Sequence, residues 1–189
     1  STYEPTNISV KRRQNFERLS DVVNQLMEDG KVDLHLDLIA GLPYESYDRF
    51  KKSFDDVFAF RPKELQLGFL KMLRGTSLRK NANEWGYTYD EASPYEMIEN
   101  DVLSKDDVKN IHIAEDMLEK YWNSGRFHKT LNIVMDHEES PFEFFYQLGC
   151  FYHENNYKTI GFQLDELFKY LDAYLCRYEN YAKLHEALI

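Results

Sequence analysis

Cysteine is scarce in this sequence: Cys150 and Cys176 are the only two among 189 residues. Two cysteines so far apart match neither the framework of a disulfide-rich secreted domain nor the short ligand spacing of a zinc site. The sequence therefore predicts a cytoplasmic protein in which both thiols stay free.

Positive charge and long apolar runs are also in short supply. Lysine and arginine number 23 against 33 aspartates and glutamates, which gives a formal net charge of -10. An acidic surface of this kind argues against nucleic acid and anionic membranes as partners. No apolar run approaches the roughly 18 residues of a membrane span, and the first residues lack the regions of a signal peptide. The chain begins without methionine, so we expect it to be a piece of a longer protein.

The chain is organised around residues 32–46, which are predicted to form a strand, a Gly/Pro turn and the start of a helix. Apolar and polar positions alternate along the strand. One set of alternating positions is apolar: Leu34, Leu36, Leu38 and Ala40. The other set is mostly polar before it ends in glycine: Asp33, His35, Asp37, Ile39 and Gly41. Period-two alternation predicts a strand with two unlike faces. A polar face between helices favours a barrel or cleft interior, whose ligands bind at the C-terminal strand ends, here residues 39–45.

Helices flank this strand on both sides. One is predicted from Asn15 to about residue 28, ended by Asp29-Gly30, and another runs from Ser46 to about Phe60. A second alternating strand follows at residues 64–71. Strand, helix and strand in this order predict a βαβ unit with parallel pairing and a right-handed crossover.

The character of the sequence changes after residue 75. A short helix and an irregular aromatic stretch come first, and longer helices are then predicted at residues 104–123, 126–136, 140–154 and 162–187. We therefore predict an α/β part at residues 1–75 with two parallel strands, followed by a mainly α-helical domain at residues 76–189.

Several features have both a chemical and an ordinary structural interpretation. Residues 41–45 form either a ligand-binding turn or a plain βα turn with a carboxylate at a helix start. The acidic and histidine residues of 33–37 suit metal ligation, acid–base work or, better, a hydrogen-bonded barrel interior. The basic residues 11–13 form either an anion site at a helix entry or a solvated turn. The aromatic runs near residues 142–152 and 168–181 form either core or a protein-contact surface.

Two motifs together resemble a known family. The sequence H-L-D-L-I-A-G-L-P-Y-E-S-Y-D-R-F at 35–50, followed by L-Q-L-G-F-L-K-M-L-R-G-T-S-L at 65–78, resembles the C-terminal third of a radical S-adenosylmethionine barrel. It is most similar to the cobalamin-binding-domain type known as Fe–S oxidoreductases. S-P-Y-E at 93–96 and Y-W-N-S-G-R-F at 121–127 resemble the helical domain of unknown function that follows that barrel.

The resemblance implies an S-adenosylmethionine site that includes eight positions of this chain: Ser1, Arg12, Asp37, Ile39, Gly41, Glu45, Gln66 and Gly68. In the family, the segment matched by Ser1 meets the ribose and amino-acid part of the ligand. Arg12, with Arg13 as the competing choice, matches the arginine that pairs with the ligand's carboxylate.

The remaining carried-over positions lie on the two strands and the turn after the first. Ile39 and Gly41 match the fifth-strand motif that contacts adenine. Asp37 stands where that motif has glycine, and Glu45 comes one residue later than the motif's glutamate. Gln66 and Gly68, on the inward face of the sixth strand, match positions that line the adenine end of the S-adenosylmethionine pocket.

The resemblance also implies cofactors that this chain cannot hold alone. The family's [4Fe–4S] cluster sits on a C-x-x-x-C-x-x-C loop, which is absent here, and its cobalamin occupies a separate N-terminal domain. We therefore expect a fragment of a radical S-adenosylmethionine oxidoreductase or methyltransferase-like enzyme that contributes part of the S-adenosylmethionine pocket without catalytic competence of its own.

The expected partners follow from this interpretation. They are the missing N-terminal part of the same protein, an unknown substrate, and further copies of the chain joined through exposed strand edges or aromatic helices. The alternative is a non-catalytic helical module for protein interaction or substrate docking.

Overall fold

The structure, a computed structural model, describes residues 1–28 and 32–189, without the side chain of residue 28. The chain divides into two compact units, Ser1–Ile111 and His112–Ile189. The predicted boundary between residues 75 and 76 lies within the first unit, and as a statement about domain organisation it stays a prediction.

The first unit alternates helices and short strands. Its elements are α1 (Glu4–Ser9), α2 (Phe16–Glu28), β1 (His35–Ala40), α3 (Tyr47–Phe58), β2 (Glu64–Phe69), α4 (Ser77–Lys80), a 3-10 turn (Ala82–Trp85), β3 (Thr88–Tyr89) and β4 (Met97–Glu99). The predicted βαβ unit is confirmed, because β1 and β2 pair in parallel around α3. The antiparallel pair β3 and β4 was not predicted, since each strand is at most three residues long. The predicted end of α2 at Asp29-Gly30 lies outside the described residues.

The predicted two-faced strand is confirmed. Leu38 and Ala40 of β1 are buried, while His35, Asp37 and Ile39 at the alternate positions are exposed. The buried face of the sheet and the apolar stripe of α3 form the core of this unit through Phe50, Phe54, Val57, Phe58, Leu65 and Leu67. Ser46 caps α3 by accepting a hydrogen bond from the Arg49 backbone N–H, as its position predicts.

Helices make up the second unit. After α5 (Lys105–Met117), which begins in the first unit, come a π-helical segment (Leu118–Asn123), α6 (His128–Met135), α7 (Pro141–Glu154), α8 (Leu164–Leu175) and α9 (Tyr181–Leu188). The predicted starts of α5 and α7 are confirmed: Ser104 exchanges hydrogen bonds with Asp107, and Ser140 caps α7.

The prediction of one long helix at residues 162–187 is wrong, because the chain turns between α8 and α9. The turn brings α9 back against α6 and α8 and buries Leu184 and Leu188. A continuous helix would carry both leucines past these partners, so the gain from apolar burial favours the turn. Among the described residues, no helix combines the length and the apolar character that crossing a membrane requires.

Candidate functional site

The exposed face of the β1–β2 sheet forms the floor of a groove. The strand register sets His35 beside Glu64, Asp37 beside Gln66 and Ile39 beside Gly68. These six residues share one face because side chains alternate along a strand. All of them except Glu64 line one groove, which we call the strand-face groove; its volume is about 1000 Å³. Apolar residues from outside this face, among them Phe16, Leu38 and Val57, line the groove as well.

The strand-face groove brings together six of the eight positions that the family resemblance implies: Ser1, Arg12, Asp37, Ile39, Gln66 and Gly68. The basic side chains of Arg13 and Lys71 line it as well. Anionic, neutral polar and cationic groups therefore border one concavity. Such a mixture suits a ligand that has both hydrogen-bonding groups and a negative charge.

Glu45 does not line the groove but lies buried behind Ser1. Its side chain is 1% exposed, and Oε1 accepts hydrogen bonds from the hydroxyls of Ser1 and Ser53, each at 2.6 Å. Its Oε2 has no partner among the described residues. The carboxylate therefore ties the turn after β1 to Ser1, at the wall of the groove.

A hydrogen-bond network extends this tie to Thr2. The Thr2 backbone N–H donates to Ser53 Oγ at 3.3 Å, and its hydroxyl donates to Asp56 at 2.8 Å. Arg49 donates to the same hydroxyl at 2.8 Å, and its guanidinium lies 4.9 Å from the ring centre of Tyr3. These bonds fix the segment that supplies Ser1 and Thr2 to the groove.

Sequence reasoning missed Ser53, although a signal was present. Ser53 falls on the buried stripe of α3, three residues after Phe50 and four before Val57. A hydroxyl at such a position needs a buried hydrogen-bond partner. The stripe therefore indicated a polar contact inside the core, and that contact is Glu45.

Gly41 also lies outside the groove, and the close approach it permits is made by the protein itself. Its φ is +89°, and a Cβ built there would come within 2.8 to 3.0 Å of three Met97 side-chain atoms. Its carbonyl accepts a 2.7 Å hydrogen bond from Tyr87, whose pKa is raised by burial. Gly41 shapes the turn, while Met97 fills the space beside it.

The histidine and carboxylates of residues 33–37 do not assemble a metal site. Asp33 pairs with Lys63, which lowers the pKa of that carboxyl group, and His35 pairs with Glu64 at 3.0 Å. Across the described ranges, no group of three or more His, Cys, Asp or Glu side chains is arranged to hold a metal ion. Ion pairing at the surface therefore accounts for this motif better than metal ligation.

Comparison with protein-family models gives a match. The model of a family described as "Protein of unknown function (DUF4080)" matches residues 83–189, more than half of the chain. The chain belongs to the DUF4080 family. No curated protein matches it. The DUF4080 segment contains the whole second unit, whereas every residue that lines the strand-face groove precedes it.

The aromatic residues of the DUF4080 segment form its core. Tyr121, Phe142, Phe145 and Tyr152 are fully buried, and the Tyr121 hydroxyl bonds to the Tyr152 hydroxyl and to the Leu167 carbonyl. Burial raises the pKa of both tyrosines. The aromatic residues of α7 and α8 therefore mainly form core rather than a protein-contact surface.

One polar cluster of the DUF4080 segment escaped sequence reasoning. His185 Nδ1 lies 2.8 Å from Asp172 Oδ1, and the Tyr181 hydroxyl donates to the same carboxylate at 3.0 Å. A continuous helix would separate His185 and Asp172 by roughly 20 Å at 1.5 Å per residue. The wrong prediction of a single helix therefore hid this pair.

Proposed function

We propose that this chain contributes the adenosyl-binding wall of an S-adenosylmethionine pocket in a radical-type enzyme, with β1–α3–β2 as the last units of a partial barrel. The observation that carries the proposal is the convergence of six residues on the strand-face groove, from the segment before α1, the segment before α2 and both strands. The helical DUF4080 segment would then be the accessory domain.

The floor of the groove suits a flat nucleobase. Asp37 and Gln66 are register neighbours, so their side chains offer a carboxylate acceptor and an amide beside each other. The carboxylate can accept a hydrogen bond from an exocyclic amino group. Ile39 and Gly68 form the next pair, and the missing side chain of Gly68 leaves room for a ring to lie against Ile39, which is 41% exposed.

The basic wall suits the amino-acid end of the same ligand. Arg12 lines the groove together with Ser1 and Thr2, so a guanidinium and two hydroxyl-bearing residues border it. Guanidinium groups bind carboxylates with paired hydrogen bonds. In this proposal Arg12 holds the ligand carboxylate, and Glu45 positions Ser1 rather than contacting the ligand.

The implied cofactors fit this chain unequally. S-adenosylmethionine supplies a methyl group or, after reduction, a 5′-deoxyadenosyl radical, and the residues above fit its polar and charged ends. A [4Fe–4S] cluster does not fit this chain's donors, because Cys150 and Cys176 are its only cysteines and the Cys176 thiol donates to the Asp172 carbonyl at 3.3 Å. This chain's residues therefore bind and orient the ligand, while bond cleavage requires groups from elsewhere.

The alternative function, a helical docking module, has weaker support. It depends on aromatic residues available at the surface, and Phe142, Phe144, Phe145 and Tyr174 are all buried. Tyr178 and Tyr181 are partly exposed, but their hydroxyls bind Glu138 and Asp172. Alanine substitution at these two tyrosines that abolished association with a partner would move this alternative to first place.

The test is equilibrium binding of S-adenosylhomocysteine to the full-length protein by calorimetry. We expect Asp37→Asn to weaken binding about tenfold to a hundredfold, since a hydrogen bond to a charged group is worth about 1.5–3 kcal/mol. Asp48→Asn is the matched control, because Asp48 is a highly exposed carboxylate outside the groove. Equal affinities of the two variants would contradict the proposal.

A further inference from the structure

A second concavity lies between α1 and α2, and the proposed function does not use it. We call it the α1–α2 cavity; its volume is about 1040 Å³. Arg12, Arg13, Gln14 and Leu19 border both this cavity and the strand-face groove. Glu4, Asn7, Lys11 and Arg18 border the α1–α2 cavity alone.

The cavity concentrates positive charge in an acidic chain. Lys11, Arg12, Arg13 and Arg18 all line it, although the formal net charge of the sequence is -10. Within the part of the chain that the structure describes, none of these four side chains has an ion-pair partner. Unneutralised cations around one concavity favour an anion with several oxygen atoms.

The start of α2 adds to this preference. Asn15 and Arg18 line the cavity, and the Arg18 backbone N–H donates to Asn15 Oδ1 at 2.8 Å. The first turn of this 13-residue helix therefore borders the cavity. The positive end of a helix dipole favours phosphate groups.

Two residues of α1 with acceptor oxygens, Asn7 and Glu4, also line the cavity. Asn7 is 4% exposed; its Nδ2 donates to the Ser1 carbonyl at 3.1 Å, and its Oδ1 has no partner among the described residues. The Glu4 carboxylate lines the cavity as well. The Asn7 oxygen is itself inaccessible and leaves a buried polar group unsatisfied at the cavity wall. The exposed Glu4 carboxylate is the acceptor that a ligand hydroxyl can reach.

We propose that the α1–α2 cavity binds a phosphorylated sugar or polyol. Lys11, Arg13 and Arg18 hold the phosphate, and Glu4 accepts hydrogen bonds from hydroxyl groups. Exposed Ile8 and Val22 supply the apolar wall that the carbon skeleton of such a ligand needs. This site adjoins the strand-face groove and shares Arg13 with it, but its assignment does not depend on the proposed function.

The test is calorimetric titration of the full-length protein with ribose 5-phosphate, inorganic phosphate and ribose. We expect ribose 5-phosphate to bind about tenfold more tightly than inorganic phosphate, because hydroxyl contacts worth about 1.4 kcal/mol are added. Ribose alone should not bind measurably. Equal binding of ribose 5-phosphate and inorganic phosphate would overturn the hydroxyl part of the proposal, and failure of both to bind would overturn all of it.

Substitutions decide whether binding occurs at this cavity. Lys11→Gln and Arg18→Gln remove exposed cations that line only the α1–α2 cavity, so each should weaken ribose 5-phosphate binding at least about fivefold. Arg126→Gln, an exposed arginine of the second unit, is the matched control. Unchanged affinity in both test variants, or an equal loss in the control, would contradict the assignment.

Two further measurements distinguish the α1–α2 cavity from the strand-face groove and from a lipid-binding surface. S-adenosylhomocysteine binding should be unchanged in Arg18→Gln, so either proposal can fail without the other. Vesicles that contain phosphatidylinositol 4-phosphate present the same phosphate and hydroxyl chemistry on a membrane. Vesicle binding without ribose 5-phosphate binding would overturn the small-molecule assignment.

Discussion

The two compact units use their side chains in opposite ways. In the second unit, the largest aromatic residues point inward, and Tyr121 and Tyr152 bond to each other inside the core. In the first unit, the sheet turns one polar face outward, and α2 leaves Val22, Leu26 and Met27 exposed. A unit that satisfies its groups internally offers little to a ligand, and both proposed ligand sites accordingly lie in the first unit.

Phe145→Ala should be the most destabilising of these changes. Phe145 is fully buried among the aromatic residues of the second unit, and truncating such a phenylalanine costs about 3–5 kcal/mol. Urea unfolding followed by circular dichroism measures the loss. His153→Ala on the exposed side of the same helix should leave the free energy of unfolding within about 0.5 kcal/mol of the wild-type value. Equal effects of the two substitutions would contradict the inward-facing description of this unit.

Gly41→Ala and Gly68→Ala should separate stability from binding. Gly41 has positive φ and Met97 atoms within 3.0 Å of the added Cβ, so we expect a loss of about 1–3 kcal/mol. At Gly68 the nearest atom to an added Cβ is the Leu38 carbonyl oxygen at 3.8 Å, so the fold should tolerate alanine. Gly68→Ala should instead weaken S-adenosylhomocysteine binding. A Gly41→Ala variant as stable as the wild type would contradict the structural role of Gly41. A Gly68→Ala variant with normal affinity would contradict the binding role of Gly68.

Raising the pH should lower the free energy of unfolding, because the second unit contains buried tyrosines. Burial raises the pKa of Tyr174 to about 12, above its value of about 10 in an unfolded chain. The Tyr174 hydroxyl therefore stays protonated to a higher pH in the folded state than in the unfolded state. The stability that this difference contributes is complete below about pH 10 and is lost as the pH rises from about 10 to 12. The loss should be about 2–3 kcal/mol for Tyr174. Stability measured against pH by urea unfolding should fall less steeply in Tyr174→Phe, and identical slopes would contradict this assignment.

Ser53→Ala should cost about 1–3 kcal/mol, because it removes a donor from the buried Glu45 carboxylate. Ser77→Ala, at an exposed position at the start of α4, is the control and should change stability by less than about 0.5 kcal/mol. If Glu45 acts by positioning Ser1 and Thr2, Ser53→Ala should also weaken S-adenosylhomocysteine binding. A loss of stability with normal binding would limit Glu45 to a structural role.

The smallest effect should come from the ion pair on the exposed sheet face. His35 and Glu64 lie 3.0 Å apart, but their side chains are 58% and 46% exposed. Pairs of this kind contribute about 0–1 kcal/mol. Glu64→Gln should therefore leave the midpoint of thermal unfolding nearly unchanged. A large drop would mean that the two side chains are more buried than their exposed fractions indicate.

Patterns of period two and period 3.6 predicted the elements correctly where one face is buried against a neighbour. The alternation of β1 and the stripe of α3 both led to buried side chains, because local spacing alone decides which residues share a face. The apolar stripe of α2 shows the limit of this reasoning. Its members recur at helical spacing: Phe16, Leu19, Val22, Val23, Leu26 and Met27. Of these six only Val23 is buried, since burial requires a partner that spacing does not supply.

The rest of the candidate site depends on contacts that are distant in sequence. Ser1 and Glu45 are 44 residues apart, and no local pattern links them. The turn between α8 and α9 escaped prediction because the gain lies in packing against α6, while the sequence of the turn itself contains neither proline nor glycine.

The most direct test of the account is chemical-shift mapping of the isotope-labelled 189-residue chain during titration with S-adenosylhomocysteine, a method that tolerates weak binding. We predict that the largest backbone amide shifts fall on Asp37, Ile39, Gln66 and Gly68, with little change in the aromatic core of the second unit. The absence of shifts at high ligand concentration, or shifts centred on the second unit, would contradict the claim that the exposed sheet face is the binding surface.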